Sequence, residues 1–102
     1  MNRPAIILVM CGSSIATSTL AAVKIEEEAE RRGVRVSVKK GKVADADMLI
    51  NFTKADIVVS TSLMEPREGI PFFSGVPLLT GIGQKELYDE LFATIQGMSD
   101  QP

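Results

Sequence analysis

The chain contains no histidine and no tryptophan, with one cysteine and one tyrosine among its 102 residues. Without an imidazole it cannot build a His-based zinc centre or a serine triad, and no phosphohistidine can form on it. A lone cysteine makes neither an internal disulfide nor a Cys-rich metal cluster, so no metal site and no cofactor are expected. The scarcity of large aromatics removes the platforms on which nucleobases or sugar rings stack. An excess of positive charge is also missing. Eleven Lys and Arg face thirteen Asp and Glu, a net charge of -2, which gives no electrostatic ground for a nucleic-acid or anionic-membrane partner. Finally, no apolar run is long. Ala5 to Met10 is far too short to span a bilayer and lacks the flanks and cleavage site of a signal peptide. The expectation is a cytoplasmic protein without direct membrane insertion, monomeric on its own.

What is present is an ordinary globular composition, 45% hydrophobic and 24% charged. The pattern predicts a single domain over residues 1–97, with 98–102 as a frayed tail. The most informative stretch is Ile6 to Thr19, Ile-Ile-Leu-Val-Met-Cys-Gly-Ser-Ser-Ile-Ala-Thr-Ser-Thr. An apolar run of strand length meets a cysteine, then Gly and small hydroxyl residues, then a helix-forming segment rich in Ala, Lys and Glu. A loop entering a helix N-terminus offers backbone N–H groups and the positive end of the helix dipole, which suit a phosphate or another oxyanion. Cys11 is expected at the mouth of that cradle, where the same N–H groups favour thiolate, the nucleophilic form. The candidate phosphate-binding residues are Gly12, Ser13, Ser14, Ile15, Ala16, Thr17 and Ser18.

Further along, Thr17 or Ser18 can cap a helix that runs to Arg32 and ends at Gly33. Ala21, Ala22, Ile25 and Ala29 share one face, small enough to lie close on a sheet. Leu20 and Val23 fall elsewhere; they form either a wide core stripe or a partner-docking patch beside the cysteine. Val34 to Lys39 alternates as an edge strand does, and Gly41 to Lys54 fits a short helix. Asp56 to Ser60 is apolar on both faces, as an interior parallel strand requires, and should lie beside the first strand. Thr61 to Gly69 is a polar loop leaving the same sheet end as Cys11. A fourth strand is expected over Val76 to Leu79. The last helix is expected over Gln84 to Gln96, with Leu87, Leu91 and Ile95 recurring every fourth residue and Gly97 closing it. Strands alternating with helices predict an open parallel four-stranded sheet of order 2-1-3-4 with helices on both faces, a Rossmann-like or flavodoxin-like α/β layout with a phosphate loop after its first strand.

Three chemistries suit a cysteine on such a loop. Cysteine phosphatases place an arginine where this chain has Thr17, so that a guanidinium clamps the equatorial phosphoryl oxygens; neither Arg nor Lys occurs between Cys11 and Thr19. Thiol-based oxyanion reduction needs resolving thiols, and there is no second cysteine. A phosphoryl relay needs only positioning and dispersed charge stabilisation, which backbone amides and the hydroxyls of Ser13, Ser14 and Thr17 can supply. A small-ligand module that holds a flavin phosphate on a Ser/Thr-rich loop is an alternative of a different class, as is a cysteine-dependent phosphatase.

The string from Cys11 to Thr19, followed by Leu-Ala-Ala, is similar to the active-site loop of IIB components of the bacterial phosphoenolpyruvate-dependent sugar phosphotransferase system (PTS), most closely the galactitol type. Ile70 to Pro77 and Gly81-Ile82-Gly83 resemble the same proteins near their C-terminus. The resemblance implies a phosphotransferase in which Cys11 takes a phosphoryl group from a histidine of a IIA protein. It would pass that group to a sugar or polyol held by a membrane IIC protein, working peripherally to the inner membrane through IIC. The missing histidines agree, since a IIA protein or a mannose-type IIB would need its own. Specificity for the sugar would then reside in IIC, and Ile15, Leu20 and Val23 would form the apolar rim that meets the donor. The segment Lys40 to Gly69 departs most from the family pattern.

Overall fold

A computed structural model describes residues 4–12, 15–62 and 69–99. Strand β1 (Ala5–Cys11) is the centre of the sheet. It pairs in parallel over its full length with β2 (Val36–Lys42), from Ala5 opposite Val36 to Cys11 opposite Lys42. On its other side lies β3 (Ile57–Ser60), which in turn pairs with the short β4 (Phe72–Ser74). The order is β2-β1-β3-β4, all parallel, as the sequence pattern predicts. Helix α1 (Ile15–Arg32) crosses from β1 to β2, α2 (Ala46–Thr53) from β2 to β3, and α3 (Val76–Thr80) and α4 (Gln84–Ser99) follow β4.

Both faces of the sheet are covered. On one, Ala5, Ile7, Val9, Ile57 and Val59 meet Ala21, Ala22, Ile25 and Ala29 of α1, Leu78 of α3, and Leu87, Tyr88, Leu91, Phe92 and Ile95 of α4. On the other, Leu8, Met10 and Val58 meet Ala46 and Ile50 of α2. Successive residues of β1 therefore bury into different layers, which is why the strand must be apolar throughout. The ends of the strands are stitched together. At the N-terminal edge the Asp56 carboxylate accepts a hydrogen bond from Ile6 N–H at 2.8 Å, and Asp56 N–H donates to Ile6 C=O at 2.8 Å.

Several boundaries differ from the sequence reading, each for an identifiable reason. Val76 to Leu79 is helix, not strand: Gly75 occupies the N-cap position, Pro77 lies in the first turn where its missing N–H costs nothing, and Gly81 ends the helix at φ 80°. The fourth strand falls instead on Phe72–Ser74, whose Phe72 and Phe73 pair with Val58 and Val59. Gly41 belongs to β2, which extends to Lys42 to match the seven residues of β1. A 3-10 turn over Val43–Asp45 then leads into α2, and Lys54 at φ 58° closes that helix. Helix α1 begins at Ile15, so Thr17 and Ser18 lie in its first turn rather than capping it. Gly97 does not stop α4, which carries on through Met98 to Ser99, because an exposed glycine near a helix end costs only about 1 kcal/mol. The remainder of the expected tail, 100–102, lies outside the described residues.

Candidate functional site

Parallel strands bring their C-terminal ends to one edge, and that edge collects the residues singled out in the sequence. Cys11 is the last residue of β1, with Gly12 following it and α1 starting at Ile15. The first-turn amides of α1, those of Ile15, Ala16, Thr17 and Ser18, have no partners within the helix, and that turn carries no acidic residue. The anion-attracting end of the helix is thus set directly beyond the cysteine. Ser13 and Ser14, the remaining members of the proposed cradle, lie outside the described residues, as does most of the Thr61 to Gly69 loop.

Thr61 and Ser62, the first residues of that second loop, do emerge beside the cysteine. Thr61 donates to Met10 C=O twice, from its N–H at 2.9 Å and its hydroxyl at 3.1 Å. Ser62 lies against Gly12: a Cβ placed on Gly12 would fall 2.7 Å from the Ser62 hydroxyl oxygen. Ser60, buried, donates to Ser62 C=O at 2.6 Å and fixes the turn between them. A third element arrives from β4, where Gly75 N–H donates to Ser60 C=O at 2.6 Å.

The thiol itself is not presented at a mouth. Cys11 is 0% exposed, and its Sγ donates to Gly41 C=O of β2 at 3.5 Å. The sequence reading required an accessible sulfur; the structure places it one step deeper, as the closing residue of β1 rather than the first residue of the loop. Chemistry at Sγ therefore requires the thiol to be uncovered during an encounter. Leu20 and Val23, in contrast, are 45% and 43% exposed, so they are not part of the core stripe and remain available on the outer face of α1.

A groove of about 630 Å³ lies elsewhere. It follows the seam between α1 and α4, where Glu28 accepts from Arg31 at 2.6 Å and 2.7 Å and from Arg32 at 2.7 Å. Arg32 reaches on to Asp89 at 3.0 Å and lies 5.0 Å over the Phe92 ring. These charges satisfy one another and tie the two helices, and the two arginines hold the Glu28 carboxyl below the usual carboxylate range. No group of His, Cys, Asp and Glu suited to a metal ion occurs among the described residues.

Comparison with known proteins shows the family to which the chain belongs. Residues 6–90 match the family model described as the lactose/cellobiose-specific IIB subunit of the PTS system. The chain belongs to this family. Among its relatives is the galactitol-specific EIIB component of Escherichia coli, 28% identical over 92 residues that span 89% of this chain and 96% of that protein. A putative phosphotransferase enzyme IIB component of the same organism is 30% identical over 89 residues, 87% of this chain. The lactose-specific IIB component domain of Streptococcus pneumoniae shares the fold, with a TM-score of 0.52 at 19% identity over 96% of this chain and 97% of that one. As a IIB subunit the chain is a phosphoryl carrier of sugar uptake, working between IIA and IIC proteins. The phosphatase and flavin-module readings give way to it. No described helix is long and apolar enough to cross a membrane.

Sequence reasoning passed over Gly41, whose carbonyl receives the thiol, and Ser62, which lies against Gly12. Neither carries a signal along the chain, since each is recognised only by the strand neighbour it meets.

Proposed function

We propose that Cys11 is the phosphoryl acceptor of this IIB protein, and that the group it carries is delivered to a sugar alcohol of the galactitol type bound by IIC on the cytoplasmic side of the membrane. The observation that carries the reading is the position of Cys11 at the C-terminal end of the central strand, directly ahead of a helix whose first turn bears no acidic side chain. In the acceptor step the sulfur lone pair forms an S–P bond as the N–P bond to the donor's phosphohistidine breaks. The imidazole nitrogen keeps that electron pair and receives the thiol proton. The phosphoryl oxygens are met by the amides of Gly12 to Ser18 and by the hydroxyls of Ser13, Ser14, Thr17 and Ser18. The substrate class is supported by the likeness to galactitol-specific EIIB components, 28% and 27% identical.

The donor docks on the exposed apolar residues Leu20 and Val23 next to the loop. The test is label transfer from phosphorylated IIA to wild type and to Cys11→Ala. Wild type should acquire a label with the acid and base lability of a phosphocysteine, and Cys11→Ala none. Equal labelling of the variant overturns the assignment. Membranes carrying the cognate IIC should then phosphorylate galactitol in preference to lactose or cellobiose; the reverse preference overturns the substrate class alone.

A further inference from the structure

The cysteine loop has no cation of its own, yet it must accept a group bearing about two negative charges. The fold brings two from the neighbouring strand. Alternate residues of β2 and of the residues leading into it, Val34, Val36 and Val38, pack on the α1 side of the sheet. The next two residues of that same stripe are Lys40 and Lys42. Gly41 between them faces the other way, onto Leu49 of α2, which confirms the alternation. Lys40 Nζ lies 3.5 Å from the Thr19 hydroxyl on α1, and Lys42 is the register partner of Cys11. The stripe therefore changes from valine to lysine where the sheet passes from beneath the body of α1 to its N-terminal turns.

Electrostatics makes this an unusual place for two cations. The N-terminus of a helix carries partial positive charge, so ammonium groups beside it are repelled unless an anion lies between them. No carboxylate in the first turn of α1 offsets them, and among the described residues neither lysine has an ion-pair partner. A phosphoryl group at Cys11 would reverse the sign of that interaction for both.

We propose that Lys40 and Lys42 supply the positive charge missing from the cysteine loop and stabilise the phosphoryl group as it arrives on Cys11. The inference rests on Cys11 being the acceptor. In the transfer the S–P bond forms, the N–P bond breaks, and the proton released by the thiol ends on the donor imidazole. The lysines exchange no proton; they offset charge that stays on the phosphoryl oxygens throughout.

The experiment compares Lys40→Gln, Lys42→Gln, the double variant, the double arginine variant, and Lys39→Gln as a control on the opposite face of the strand. Full-length proteins are phosphorylated by IIA under rapid quench, and the phosphorus resonance of the product is recorded. Each lysine removed should slow transfer about threefold and the pair about tenfold at low salt. The deficit should shrink as salt screens the interaction. Arginine should restore the rate, Lys39→Gln should behave as wild type, and the phosphocysteine resonance should shift in the double glutamine variant. A double variant at wild-type rate, a control as slow as the test variants, or a slow variant with an unmoved resonance, which is the mark of donor docking alone, overturns the proposal. Loss of label in Cys11→Ala beside normal rates in the lysine variants defeats this inference only. Labelling of Cys11→Ala defeats the acceptor assignment beneath it.

Discussion

Gly41 is the point at which α2, β2 and the buried thiol meet, and adding one methyl group there tests the packing of all three. A Cβ on Gly41 would overlap Leu49 Cδ1 and lie 3.5 Å from its Cγ and 3.8 Å from Cδ2. Leu49 is half-buried against the Leu8, Met10 and Ile50 cluster, so it cannot turn away without giving up apolar contact. Overpacking of this kind costs about 1–3 kcal/mol. Leu49→Ala, at a partly buried site, should cost about 1–2 kcal/mol, below the range for a full core leucine. In the double variant the space vacated by Leu49 receives the new methyl. Its cost should fall short of the sum of the single costs by about 1–2 kcal/mol, well outside the ~0.5 kcal/mol scatter of independent sites. Urea denaturation of the four proteins measures this directly, and each 1 kcal/mol should appear as about 4–8 °C in Tm. Because Gly41 C=O accepts the Cys11 thiol, displacement of β2 in Gly41→Ala should also speed alkylation of a sulfur that is otherwise fully buried. Additive costs with unchanged alkylation would mean that Leu49 moves aside freely and that the sheet edge beside the cysteine is not packed as described.

Leu20→Asp places a charge on an exposed position of α1 and should alter stability by about 0.5 kcal/mol or less, while slowing phosphorylation by IIA. Unfolding by that substitution would return Leu20 to the core, and a normal transfer rate would move the docking face elsewhere. Glu28 supplies a pH dependence. Its folded-state pKa lies below the unfolded value because Arg31 and Arg32 donate to its carboxylate, so its stabilisation is fully present above about pH 4.5 and is lost as pH falls through the folded-state value. In urea titrations Glu28→Gln should therefore be less stable than wild type at neutral pH and converge on it in acid, once the pH has fallen through the folded-state value; a gap that persists below it would rule out the ionised carboxylate as the cause.

Along most of this chain, local periodicity was sufficient to identify what each element buries. Ala21, Ala22, Ile25 and Ala29 recur at helical spacing and are all in the core, as are Leu87, Leu91 and Ile95 with Tyr88 and Phe92 beside them. The doubly apolar Ile57 to Val59 run could only be an interior strand, and with the alternation of strands and helices it leads to the observed order. The cysteine at the end of an apolar strand, followed by glycine and small hydroxyl residues, was legible because strand, loop and helix are consecutive in the chain. Short segments carry too few residues to show a period, which is why Val76 to Leu79 read as strand until Gly75, Pro77 and Gly81 took their places at the ends of a helix. Relations between strands were beyond the sequence altogether. That β2 continues to Lys42, that the Cys11 thiol is covered and bonded to Gly41, that Lys42 stands opposite Cys11 and that Lys40 reaches Thr19 of α1 all follow from register. Register is set by the packing of whole layers against one another, and a residue's neighbours along the chain do not record who stands across the sheet.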